Sequence, residues 1–147
     1  MNCIFRMMER SDKDEVLKMM RVFYSSPAVS TNGSEKIFNN DIDACLSDDP
    51  YVEGYVIVDS EMIIGYVMVA KSYSTEFGKR CIWIEDIYIK DDYRGLGIGN
   101  ATLNFIRNKY TDALLRLEVE VDNEHALALY KKCGFTTLPY MEMMKND

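Results

Sequence analysis

The stretch Tyr93-Arg94-Gly95-Leu96-Gly97-Ile98-Gly99-Asn100 restricts the fold more than any other part of the chain. An apolar run, Ile82-Trp83-Ile84-Glu85-Asp86-Ile87-Tyr88-Ile89, leads into it. Helical periodicity leads out, with Ile98, Ala101 and Phe105 on one stripe and Leu103, Ile106 and Tyr110 beside it. Strand, glycine turn and helix in that order build an anion site. Glycine reaches dihedrals closed to other residues and lets a ligand approach the backbone. The first amides of a helix have no partner within it, and the helix dipole favours negative charge there. Arg94 adds a permanent cation suited to phosphate. Together these features predict a ligand that carries a pyrophosphate.

Two familiar phosphate motifs fit poorly. A kinase-type P-loop requires a lysine after its glycines, and none follows here. A dinucleotide fingerprint has a third glycine where this chain has Asn100. Glu118 lies at a suitable distance for a ribose acid, but the further βαβ units of such a fold are missing. An ordinary glycine turn between strand and helix accounts for the same residues without any ligand.

At 147 residues the chain is expected to form a single domain, 1–147, large enough for a real core. No apolar run approaches the roughly eighteen residues of a membrane span, so no membrane partner is expected. Met1 to Arg6 does not resemble a secretion signal. Cys3, Cys45, Cys81 and Cys133 are scattered, which suggests reduced thiols and a cytoplasmic location. With one histidine in the chain, no metal site is expected. A net charge of −7 disfavours nucleic acid, which needs a basic surface, and suits a cationic substrate.

Taken in order, residues 3–8 read as a short strand, and Ser11 with Asp14 as a helix start. Val16, Met19, Met20, Phe23 and Tyr24 recur at helical spacing up to Ser25-Ser26-Pro27. A polar stretch through Thr31-Asn32-Gly33 precedes a second helix, Ser34 to Leu46, with Ile37, Phe38, Ile42 and Cys45 inward. The period then changes. Tyr51 to Val58 and Met62 to Ala70 form a hairpin joined at Asp59-Ser60-Glu61, and Lys71 to Lys79 is a polar connection. Cys81 to Ile89, the most apolar run, is expected at the sheet centre. Leu115, Leu117, Val119 and Val121 alternate as another strand. Asp122 or Asn123 caps a short helix that Gly134 ends. Thr136 to Met144 is expected to return as a last strand, interrupted by Pro139. This mixture of hairpins and βα units predicts an α/β (α+β) domain with helices on both sheet faces.

Two motifs carry a family resemblance. Arg94, Gly97 and Gly99 match R-x-x-G-x-G, similar to the acetyl-CoA signature of the GCN5-related N-acetyltransferase (GNAT) superfamily. Asn123, Ala126, Tyr130, Gly134 and Phe135 match N-x-x-A-x-x-x-Y-x-x-x-G-F, a second element of that superfamily at the same distance. Trp83-Ile84-Glu85-Asp86-Ile87-Tyr88-Ile89 ahead of Asp92-Tyr93-Arg94-Gly95 also resembles the diamine acetyltransferases. The resemblance spans nearly the whole chain. It implies a mixed, mostly antiparallel sheet of six to seven strands with about four helices.

It also implies an acyltransferase that moves an acetyl group from acetyl-CoA to an amine by direct attack in a ternary complex. Pantetheine would lie like an added strand against the backbone of Ile87, Tyr88 and Ile89, with the pyrophosphate at Arg94, Gly95, Leu96, Gly97, Ile98, Gly99 and Asn100. Asn123 would contact the cosubstrate across the cleft. Tyr130 matches the family's general acid, and a phenol of pKa about 10 suits a thiolate leaving group.

A protonated amine must lose a proton before it attacks, and a carboxylate can accept it. Glu85 is the candidate base and Asp86 the second. Strand alternation predicts opposite faces for the two. Phe23 and Tyr24, with Glu85 and Asp86, would receive a small cationic amine or polyamine. Ser25 and Tyr73 to Phe77 are further candidates for the acceptor pocket. His125 holds a variable motif position and is assigned no role. Cys133, expected to be buried, lacks a partner that would activate its thiol. Protein or peptide amines remain alternative acceptors, and an acyl-CoA-binding sensor without turnover is the rival class. A homodimer through the last strand is a further expectation.

Overall fold

The computed structural model describes residues 2–29 and 33–147; Thr31 and Asn32 of the polar stretch lie outside them. Five strands form one sheet: β1 (Ile4–Met7), β2 (Val52–Asp59), β3 (Met62–Ser74), β4 (Lys79–Ile89) and β5 (Leu114–Leu117). They lie in sequence order, antiparallel except for the parallel pair β4–β5. Four α-helices cover the faces: α1 (Lys13–Tyr24), α2 (Glu35–Leu46), α3 (Ile98–Lys109) and α4 (Glu124–Lys132).

One core layer joins α1 and α2 to the sheet through Val16, Met20, Phe38, Ile42, Tyr66 and Tyr88. The opposite layer packs Leu103 and Ile106 of α3 against Tyr55, Val67, Ile82 and Ile84. Each layer follows from the helical and strand periodicities of the sequence. The centre is β3 rather than β4, because β4 has only the four-residue β5 beyond it.

Several boundaries moved. The sheet has five strands rather than six to seven, since residues 136–144 pair with nothing among the described residues. A strand exists only where a second strand supplies hydrogen bonds. Val119 and Val121 likewise fall outside β5, and Val121 is exposed. The polar connection Lys71 to Lys79 is largely strand, leaving only 75–78 as the turn. Ile37 points outward at 46 % exposure, displaced from the inner stripe of Phe38, Ile42 and Cys45.

The first helical turn starts earlier than expected. The Glu9 amide donates to Asp12, and Arg6 grips the same carboxylate at 2.8 and 3.0 Å. The guanidinium holds Asp12 below the usual carboxylate range. Ser34 caps α2 by accepting from the Ile37 amide.

Candidate active site

The glycine turn forms as its composition dictates. A short 3-10 turn over Asp91–Tyr93 ends at Arg94, and Gly95 and Gly97 adopt φ of 75° and 83°. Those left-handed dihedrals aim the chain into α3, whose first bonded amide is Ala101, donating to Gly97. The amides of Ile98, Gly99 and Asn100 precede it and lack partners within the helix. Arg94 is anchored by its Nε to the Ile89 carbonyl and by Nη1 to Asp91, with its guanidinium 5.4 Å from the Tyr88 ring centre. Gly99 serves packing, because a Cβ there would meet Leu129 of α4 at 2.9 Å.

Beside the turn, the sheet opens. Parallel pairing between β4 and β5 runs from Cys81–Leu114 to Ile84–Leu117 and stops. Strand β4 continues to Ile89, so among the described residues the backbone of 85–89 has no strand partner on that side. The opening coincides with an irregularity: Met68 faces Asp86, yet Val69 faces Ile84, leaving Glu85 as an inserted residue. A bulge of this kind breaks the alternation of side chains. Ile82 and Ile84 pack towards α3 before it, and Ile87 and Ile89 do so after it. Asp86 is thereby turned to the α1–α2 face. The simple expectation of opposite faces for Glu85 and Asp86 fails, and both bear on Tyr24 and Asp41.

Asp86 is 4 % exposed and accepts from two phenols, Tyr24 and Tyr66, at 2.8 Å each. Burial pushes its carboxyl up, while the two hydrogen bonds pull it down. Tyr24 and Tyr66 are held firmly as protonated donors by burial and by the adjacent charge. Phe23 stands edge-on to Tyr24, Tyr66 and Tyr88, closing an aromatic wall. Glu85 lies at the surface of the bulge, its pKa raised by burial and then by Asp86 and Glu142. With both Asp86 oxygens occupied, Glu85 is the carboxylate better able to take a proton.

The second motif closes the other side. Asn123 caps α4, its Oδ1 accepting from the Ala126 amide. The Gly134 amide bonds the Lys131 carbonyl and the Phe135 amide bonds that of Tyr130, a Schellman end with φ of 95° at Gly134. Tyr130 packs edge-on to Phe135, and burial raises its pKa, which keeps its proton in place. Its hydroxyl bonds no described residue. Cys133 is half-buried rather than buried, and its Sγ donates to Asn100 Oδ1.

A family model described as "Acetyltransferase (GNAT) family" matches residues 15–135. The chain belongs to that family. The family is by its description one of acetyltransferases. The thialysine N-epsilon-acetyltransferase of Bos taurus is 39 % identical over 83 residues, and that of Sus scrofa 36 %. The match covers 54 % of this chain, and the chain spans about half the length of these curated relatives, 48 % of each. A possible acetyltransferase from Clostridium difficile 630 shares the fold with a TM-score of 0.83 at 20 % identity, covering 99 % of this chain and 97 % of that one. An aminoglycoside N-acetyltransferase in complex with CoA has a TM-score of 0.81 at 10 % identity, covering 99 % and 95 %.

The GNAT domain brings most of the expected site residues to one region. Ile87, Tyr88 and Ile89 lie on the open stretch of β4, with the glycine turn at its end. Tyr73 to Phe77 stand apart, at the far tip of the β3–β4 hairpin, about 17 Å along the strand from Met68. There Tyr140 donates to Glu76. Sequence reasoning missed Tyr66, Asp41 and the Glu118–Glu142 pair, in which Glu118 is pushed up to about 7 by a shared hydrogen bond. The signal for Asp41 was present, as a carboxylate on an otherwise apolar helix stripe.

Proposed function

We propose that this GNAT domain transfers an acetyl group from acetyl-CoA directly to a primary amine in a ternary complex, with small cationic amines preferred. The observation that carries this reading is the place of a group of acidic and aromatic side chains. Glu85, Asp86, Tyr24 and Phe23 stand where β4 parts from β5, beside the glycine turn.

The residues suit the cosubstrate. The unpaired β4 backbone at Ile87, Tyr88 and Ile89 offers strand-like hydrogen bonds to pantetheine, and it offers amides to the thioester oxygen. The amides that open α3 and the Arg94 guanidinium suit the pyrophosphate, across Arg94, Gly95, Leu96, Gly97, Ile98, Gly99 and Asn100. Acetyl-CoA supplies the activated acetyl group. Glu85 accepts the proton of the attacking amine, directly or through water, and its raised pKa brings it nearer neutrality, where a base works best. Tyr130 delivers a proton to the departing sulfur. Asn123, as the cap of α4, fixes the helix that carries Tyr130 and faces the cosubstrate across the cleft.

The names of the Bos taurus and Sus scrofa relatives support an amine on a side-chain-like alkyl arm. Free thiols at all four cysteines support a cytoplasmic setting. The open outer edge of β5 and the exposed Met141, Met143 and Met144 support a homodimer through the C-terminal segment.

The test follows thiol release from acetyl-CoA with spermidine, putrescine, lysine, short peptides and an aminoglycoside. Turnover on a small amine that collapses in Glu85→Gln and Tyr130→Phe is the expected result. Turnover on peptides alone would reassign the acceptor. Tight acetyl-CoA binding without any turnover would make the domain a sensor.

A further inference from the structure

Asp86 is a buried carboxylate that no cation among the described residues pairs with. It is 4 % exposed, and the basic side chains that follow it in the chain are engaged elsewhere, Lys90 with Glu15 and Arg94 with Asp91. Two phenols take its oxygens instead. Tyr24 Oη donates to Oδ1 and Tyr66 Oη to Oδ2, each at 2.8 Å. The donors come from different elements: Tyr24 is the last residue of α1, whereas Tyr66 stands on β3 and is wholly buried. One carboxylate of β4 therefore ties the end of a helix to the sheet beneath it.

Stability does not account for this arrangement. Burying a charge costs desolvation, and apolar side chains of similar size hold a helix on a sheet as well or better. The layer already has such side chains, with Val16, Met19 and Met20 of α1 buried in it. What the two bonds add is direction. Packing is non-directional, while two hydrogen bonds to one planar group fix the place of both donors. The place matters because the α1 end carries Phe23, edge-on to Tyr24, Tyr66 and Tyr88, and because Tyr24 is only half-buried. Past it the chain turns, the Ser25 and Ser26 amides bonding the Val22 and Phe23 carbonyls.

We propose that Asp86 and Tyr66 are positioning residues for the transfer reaction: they fix Tyr24, and with it the last turn of α1, against the β4 bulge so that the acceptor amine is held beside Glu85. This rests on the acceptor region assigned under the proposed function. Both Asp86 oxygens are committed to the phenols, so Asp86 supports the acceptor site without taking the amine proton. Tyr66 acts from beneath, through Asp86 alone.

The experiment measures initial rates with saturating acetyl-CoA on the amine of the panel with the highest turnover, in wild type, Tyr66→Phe and Asp86→Asn. Hydrogen exchange is followed at the Ser25 and Ser26 amides in wild type and Tyr24→Phe. In Tyr66→Phe the amine KM rises by about fivefold while kcat stays within about twofold, the signature of lost placement of the bound amine. Asp86→Asn keeps both bonds, since Oδ1 accepts from one phenol and Nδ2 donates to the other, so its kcat stays within about tenfold of wild type. A loss of stability in Tyr66→Phe with the amine KM unmoved would reduce the bonds to a structural role and overturn the proposal. A larger fall of kcat in Asp86→Asn would give Asp86 a part in the proton transfer and overturn it too. If no amine is acetylated, the transferase reading fails and exchange decides the positioning alone. Ser25 and Ser26 amides that exchange about tenfold faster in Tyr24→Phe, with the Ala101 amide of α3 unmoved, support it, and unaltered exchange refutes it.

Discussion

The two sides of the proposed site are built by different means. The glycine turn and the start of α3 are local: Gly95, Gly97, Arg94 and the free amides lie within a few residues of one another. Their contacts run through backbone, as in Arg94 to the Ile89 carbonyl. The proposed acceptor wall is assembled across the chain. Tyr24 reaches Asp86 over 62 residues, Tyr66 reaches it over 20, and Asp41 arrives on a third element. In the proposed reading, a backbone site would recognise what all CoA esters share, whereas side chains gathered from distant elements would choose the acceptor.

Four substitutions probe that division, in order of expected effect. Tyr130→Phe removes the proposed proton donor and should lower kcat by about 10²–10⁴-fold, read by thiol release, with acetyl-CoA binding retained. A loss below tenfold would move the acid role elsewhere. Tyr66→Phe leaves a buried Asp86 oxygen without its donor and should cost about 1–3 kcal/mol in denaturant unfolding. Its acetyl-CoA affinity should be unchanged; a parallel loss would show that the two walls are coupled.

Gly97→Ala acts on the local wall. The added methyl meets nothing within 4 Å, so left-handed strain alone operates, at about 1–2 kcal/mol. Weaker acetyl-CoA binding with an unaltered ranking of amines is the expected outcome. Asp41→Asn should give the smallest change, and its sign depends on pH. The carboxyl is raised from its ordinary 3.8 to about 6, so it destabilises the fold fully above pH 6 and not at all below about 4. The variant should therefore melt above the wild type at pH 8, with the gap closing as pH falls to 4. A variant that melts lower at pH 8 would reveal a stabilising partner for Asp41.

Where sequence reading succeeded, the cause lay within a short window. The turn glycines, the Asn123 cap and the Gly134 helix end depend on dihedrals and hydrogen bonds three or four residues apart. Where it failed, the deciding partner was remote. Residues 136–144 read as a last strand, but among the described residues no strand pairs with them. Ile37 and Val121 have apolar side chains that the packed layers do not reach.

Glu85 and Asp86 show the boundary most clearly. Their residue types and their place before the glycine turn are fixed by the order of the chain, and with them the presence of acids near the expected thioester. A single inserted residue in the β3–β4 register then decides which way each carboxylate turns. Register depends on what the opposite strand presents, and burial depends on helices more than forty residues away. The local chain therefore determined the cosubstrate turn and the family to which it belongs. Only the packed sheet, with α1 and α2 laid across it, determined which side chains surround the acceptor.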